Sequence, residues 1–192
     1  VSVNTAIPYQ PYAVTVTAGT VNFSSIGSLA LSGGAIQVGV GSNSTTIVNT
    51  SALTISDSAS VSAGLLYAGY APNGSVITSA VGTVNQTGGT LTLSSQLRIG
   101  WVVNGSYNSS GGSNVTNAIT VGAQGSNTAH GTLNITGGAI QTNGIAIGAA
   151  AAGTSTGEVN ITGDTATIQT GGKVTLNAGS TLHETIDASG IS

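Results

Sequence analysis

The chain of 192 residues contains no cysteine, no methionine, three prolines, one tryptophan, one phenylalanine and only two basic side chains, Arg98 and Lys173. Without cysteine there are neither disulfides nor thiolate metal sites, and no thiol chemistry marks a redox compartment. Charged residues make up 4%, so the basic footprint that nucleic acid or an anionic membrane requires is missing. No apolar run is long enough to cross a bilayer, so membrane insertion is not expected. With a start at Val1 rather than methionine, these gaps predict an exported chain, extracellular or at a cell surface, from which a signal has been removed.

What is present is 39% hydrophobic residues, 30 glycines and abundant Ser, Thr and Asn. Val, Ile and Leu alternate with polar residues, which predicts short strands, while Gly and Asn supply tight corners. Gly131-Thr132-Leu133-Asn134-Ile135-Thr136-Gly137-Gly138 recurs as Gly157-Glu158-Val159-Asn160-Ile161-Thr162-Gly163-Asp164. Further copies begin at Gly82 and Gly27, a degenerate one at Ser51 and a weak one at Gly105. The weak copy is supported by its sequel, because Thr116–Gly122 aligns without a gap to Thr142–Gly148. The starts at 27, 51, 82, 105, 131 and 157 are 24, 31, 23, 26 and 26 residues apart, a spacing typical of stacked supersecondary units.

Each copy contains three short strands and one corner of variable length. Period two places Leu133, Ile135, Ile140, Ile145 and Ile147 on one surface, with Asn134, Gln141 and Ala146 on the other. One coil cannot bury that apolar surface alone, so the sequence predicts an all-β parallel β-solenoid, or β-helix, of about six coils over residues 27–178. Leu29, Leu53, Val84, Tyr107, Leu133 and Val159 would share one interior column. The bulk and hydroxyl of Tyr107 predict a widened or reregistered fourth coil. The variable segments 42–50, 70–81, 101–104, 123–130 and 149–156 would emerge on one edge; Tyr70, Pro72 and Trp101 make that edge a candidate contact surface for glycan or protein.

The repeat, as in Gly131–Gly138, resembles the strand repeats of autotransporter passenger domains and related bacterial β-solenoid surface proteins. The resemblance implies an exported parallel solenoid with surface or matrix roles and carries no functional residues. The glycine-rich calcium nonapeptide pattern is absent.

Catalysis finds little support. Asp57, Glu158, Asp164, Glu184 and Asp187 are scattered, and only Glu158 and Asp164 fall near each other; polysaccharide cleavage needs carboxylates clustered in one groove. His130 and His183 belong to separate coils, a poor ligand set for a metal. No enzyme, cofactor or metal is expected. Ten Asn-x-Ser/Thr sequons occur, at Asn22, Asn43, Asn49, Asn73, Asn85, Asn104, Asn108, Asn114, Asn134 and Asn160. They read either as glycosylation sites or as an outward Asn and Thr ladder.

Residues 1–26 lack the repeat and alternate through Val14, Val16, Val21 and Phe23, which predicts an extended N-terminal arm that either caps its own chain or joins a neighbour. Residues 179–192 form a C-terminal cap or junction strand. With no convincing cap at either end, the leading expectation is a structural subunit of an extracellular filament or biofilm matrix. It would self-assemble head to tail as a homopolymer, with the four arm residues as candidate assembly contacts. The second reading is an adhesin-like module that binds glycans or a neighbouring cell surface through Tyr70 and Trp101.

Overall fold

The computed structural model describes residues 1–3, 6–10, 13–25, 27–31, 33–41, 50–71, 80–122, 128–148 and 154–185, with the side chains of 6–10 left aside. Among the described residues sixteen strands follow one another: β1 (Ser2–Val3), β2 (Ala6–Gln10), β3 (Val14–Val16), β4 (Gly19–Phe23), β5 (Ser28–Leu31), β6 (Ala35–Val40), β7 (Thr50–Ile55) and β8 (Ser60–Tyr70). They continue as β9 (Val81–Ile99), β10 (Asn104–Val121), β11 (His130–Thr142), β12 (Ile145–Ile147), β13 (Thr156–Thr162), β14 (Ala166–Thr170), β15 (Val174–Leu176) and β16 (Ser180–Thr185). Every pairing between them is parallel, and the chain forms an all-β parallel solenoid of about six turns.

The solenoid has three faces. Face A stacks β1, β4, β7, the first parts of β9, β10 and β11, then β13 and β16. Face B stacks β2, β5, the first half of β8, the middles of β9 and β10, the end of β11, and β14. Face C stacks β3, β6, the second half of β8, the ends of β9 and β10, β12 and β15. Coils about 4.8 Å apart exchange backbone hydrogen bonds with the coils above and below, which satisfies the amides that a strand alone would leave open.

Apolar side chains at alternate positions fill the interior as columns. Leu133, Ile135, Ile140, Ile145 and Ile147 are all buried, as their spacing predicts. The first-strand column runs Val21, Leu53, Val84, Tyr107, Leu133, Val159 and Leu182. Leu29 is not in it. It pairs with Ile7 and Val61 on face B, because Gly27–Gly34 imitates the repeat while its Gly33-Gly34 corner leads from face B to face C. The first complete turn instead begins at Gly19-Thr20-Val21-Asn22-Phe23, eight residues earlier, and is 32 residues long, from Gly19 to its partner Ser51.

Of the two readings of the N-terminal arm, capping its own chain or joining a neighbour, the strand pairing has the form of the first. β1 pairs with β4, β2 with β5 and β3 with β6, all within the chain. Val14 lies opposite Ile36, Val16 opposite Val38, Val21 opposite Leu53 and Phe23 opposite Ile55. Val16 and Phe23 are buried in the core, with Val14 and Val21 packed against it. The arm is therefore a partial first turn, and the boundary drawn after residue 26 falls inside a coil. At the other end β16 stacks on β13 and continues face A.

The leading glycines Gly82, Gly105, Gly131 and Gly157 have a steric cause. Between faces C and A the chain turns at a positive-φ glycine, as at Gly122 (φ 67°), directly beside the glycine that opens a strand. A Cβ on Gly131 would overlap the carbonyl oxygen of Ile99, and one on Gly122 would overlap that of Thr156. Only glycine permits both the backbone sign and the approach.

Candidate contact site

On face C, the position between two buried residues points outward. Leu66 and Ala68 flank Tyr67, and Leu97 and Ile99 flank Arg98. Register makes Gln37, Tyr67, Arg98, Thr120, Ala146 and Thr175 one outward column. After the corner glycines Gly69 and Gly100 come Tyr70 and Trp101, so the two residues singled out in the sequence occupy equivalent places in neighbouring coils. Tyr70 ends strand β8 rather than lying in an insertion. Pro72 and the segments 42–49, 72–79, 123–127 and 149–153 lie outside the described residues.

These four side chains form one cluster. The Arg98 guanidinium carbon sits 4.0 Å from the Trp101 ring centroid and 5.4 Å from that of Tyr67. Arg98 Nη1 donates to Tyr67 Oη at 3.1 Å, and Nε donates to Gln96 Oε1 at 2.7 Å. The Tyr67 and Tyr70 rings are 4.6 Å apart, and Tyr67 meets Trp101 edge-on at 6.4 Å. Trp101 rests on a small separate apolar cluster of Ala71, Ala80, Val102 and Val103. Cation–π contact and these hydrogen bonds hold a planar cation against Trp101 and the buried Tyr67, leaving Tyr70, Arg98 and Trp101 half-buried at the surface. Composition alone did not single out Tyr67 and Arg98; aligning Leu66-Tyr67-Ala68-Gly69-Tyr70 with Leu97-Arg98-Ile99-Gly100-Trp101 reveals them.

Face A carries the sequon residues Asn85, Asn108, Asn134 and Asn160 in one register column. Asn108 Nδ2 donates to Asn85 Oδ1 at 2.9 Å, Asn134 Nδ2 to Asn108 at 2.8 Å and Asn160 Nδ2 to Asn134 at 2.9 Å. This is the ladder reading: in three of these residues, the nitrogen that would carry a glycan is already a donor. Asn114 is corrected outright as a glycosylation candidate, since it is 1% exposed and its Nδ2 donates to Tyr107 Oη inside the solenoid. Asn104 is exposed, and Asn22 is half-buried on β4. Asn43, Asn49 and Asn73 lie outside the described residues.

Tyr107 is fully buried. It donates to Gln86 Oε1 and accepts from Asn114 Nδ2, while Gln86 Nε2 donates to the Ser113 carbonyl at 2.9 Å. Burial raises the Tyr107 phenol well above its ordinary range, with the Asn114 hydrogen bond working in the opposite direction. Tyr107 itself stays in register with Val84 and Leu133; the register shifts of this coil begin only after Ser109, at the corner that follows.

The remaining polar groups do not converge. His130 Nδ1 lies 2.7 Å from Thr156 Oγ1 and its Nε2 lies 3.7 Å from Glu158 Oε2, both side chains partly exposed. Asp164 sits at an exposed corner, and His183 lies opposite Asn160 in the register of β16. Asp187 is outside the described residues.

No protein-family model matches the chain, and no curated protein or solved structure is significantly similar to it. The class that fold and surface define is a parallel β-solenoid repeat protein with an aromatic and arginine patch on one outer face.

Proposed function

We propose that this chain is a rigid extracellular scaffold that works as an adhesin-like binding module, recognising a glycan through face C and its edge. The observation that carries this reading is the convergence of Tyr67, Tyr70, Trp101 and Arg98 from two coils into one preordered patch. Aromatic rings with few rotatable bonds offer contact area at low entropic cost, and parallel sheet beneath them prevents collapse. The resemblance of the repeat to exported bacterial solenoids supports surface display. A glycan array probed with the purified protein tests it. Binding that is lost in Trp101→Ala and Tyr70→Ala, with the coils still folded by circular dichroism, is the predicted result; an array without signal contradicts it.

The filament reading retains one supporting observation. Val174, Leu176 and Leu182 occupy inward columns yet are 42%, 53% and 41% exposed, since no described strand covers them. End-to-end stacking would bury them. Sedimentation velocity at rising concentration tests this reading, which predicts a growing series of species.

A further inference from the structure

Face C carries both basic side chains of the chain. Arg98 lies in the outward column described above. Lys173 lies at the start of the last face C strand, its carbonyl accepting from Ile145 N at 3.0 Å. Register puts Gln96, Ala118, Gly144 and Lys173 in one column and Arg98, Thr120, Ala146 and Thr175 in the next. The middle two coils therefore contribute only small side chains, Ala118, Thr120, Gly144 and Ala146. They floor a shallow depression of about 380 Å³ whose far end is Lys173 and Thr175. Gln96, Arg98 and Trp101 stand one coil beyond the floor at the other end, and Tyr67 and Tyr70 one coil further.

The described carboxylates are elsewhere. Glu158 and Glu184 belong to face A, and Asp57 and Asp164 to exposed corners between faces A and B. Among the described residues the only ion pair is His130 with Glu158, so Arg98 and Lys173 have no carboxylate partner. A chain of net charge −3 thus concentrates its positive groups along one trough, about 14 Å apart if each of the three coil steps rises about 4.8 Å.

We infer that this trough binds a linear acidic oligosaccharide, a uronic acid polymer in chemical class, laid across the coils. One carboxylate would meet the Arg98 guanidinium and another the Lys173 ammonium. Pyranose rings would rest on the small-residue floor, with an end ring against Tyr70 and Trp101. The planar guanidinium suits a carboxylate, while its stacking on Trp101 keeps it from collapsing onto the sheet. The inference rests on the glycan reading above and specifies its ligand.

Trp101 is the single tryptophan, so its emission reports occupancy directly. The full chain is titrated with a linear galacturonic acid tetramer and, separately, with the methyl-esterified tetramer, which keeps the sugar and removes the charge. Saturable change with the free acid, and about tenfold weaker binding of the ester, is the predicted outcome. Lys173→Gln, which leaves the aromatic cluster untouched, should weaken the acid about threefold. Arg98→Gln should weaken it more, and the double variant should abolish the difference between acid and ester. Equal binding of acid and ester overturns this inference while leaving the glycan reading intact. Binding of a glutamate peptide as tight as the uronate also overturns it, pointing to an acidic protein partner. No response to any sugar here, with a silent glycan array, removes both.

Discussion

At Tyr107 the interior of the solenoid stops being hydrocarbon. Its hydroxyl bridges Gln86 and Asn114 across three strand segments, and the Asn114 Oδ1 remains buried without a hydrogen-bond partner. Tyr107→Phe leaves Gln86 Oε1 without its donor and Asn114 Nδ2 without its acceptor, a predicted loss of about 1–3 kcal/mol in urea unfolding. Replacing Tyr107, Gln86 and Asn114 together with leucine removes the polar groups as a set and should cost less than the single change. Alkaline pH acts on the same group. The folded phenol titrates above the ordinary tyrosine value of 10.0, so its contribution is complete below pH 10 and declines as pH rises beyond it. Unfolding followed from pH 8 to 11 should show a loss of stability that is smaller in Tyr107→Phe. Equal slopes would contradict the burial of this side chain.

Strands and corners follow from two local demands: alternation to fill the columns, and glycine where faces C and A cross. Gly131→Ala places a Cβ against the Ile99 carbonyl; thermal melting should show a destabilisation of about 2–4 kcal/mol, whereas Gly19→Ala, with open space around the Cβ, should cost less despite its φ of 80°. These demands explain what was legible beforehand. The copies at 51, 82, 105, 131 and 157 share alternation followed by a corner, and all fall in register on face A. The copy at 27 has the same local form on face B, and alternation alone cannot tell one face from another. The true first copy at Gly19 lacks a following Gly-Gly, having Ser24-Ser25 with Ser25 at φ 56° instead. Tyr67 and Arg98 became neighbours only through the stacking of two coils of unequal length, information that the pairing register carries and the linear chain does not display.

Over the whole molecule the two ends differ. At the N-terminal end Pro8 sits in β2, where the register shifts between Ile7 and Gln10; a proline and an irregular edge both discourage strand addition. At the C-terminal end Glu184 takes the inward column below Ile161, so a coil added there would bury a carboxylate. Both features disfavour strand addition directly onto the first and last described coils. Glu184→Val should increase self-association in sedimentation velocity, and unchanged sedimentation would argue that this column does not guard the end. Ile135→Asp, in the middle of the stack, should unfold the coils altogether, a loss of roughly 4 kcal/mol or more.

The account depends most on the register of face C, since that register alone brings Arg98, Trp101 and Lys173 to one surface. A chain without native cysteine permits a direct test. Thr120 and Ala146 are paired across adjacent coils and both face outward, at a spacing of about 4.8 Å that suits a disulfide. In Thr120→Cys/Ala146→Cys, mild oxidation followed by peptide mapping should recover an intramolecular disulfide between these two positions. Two free thiols, or links only between separate molecules, would contradict the stacking on which the proposed binding trough is built.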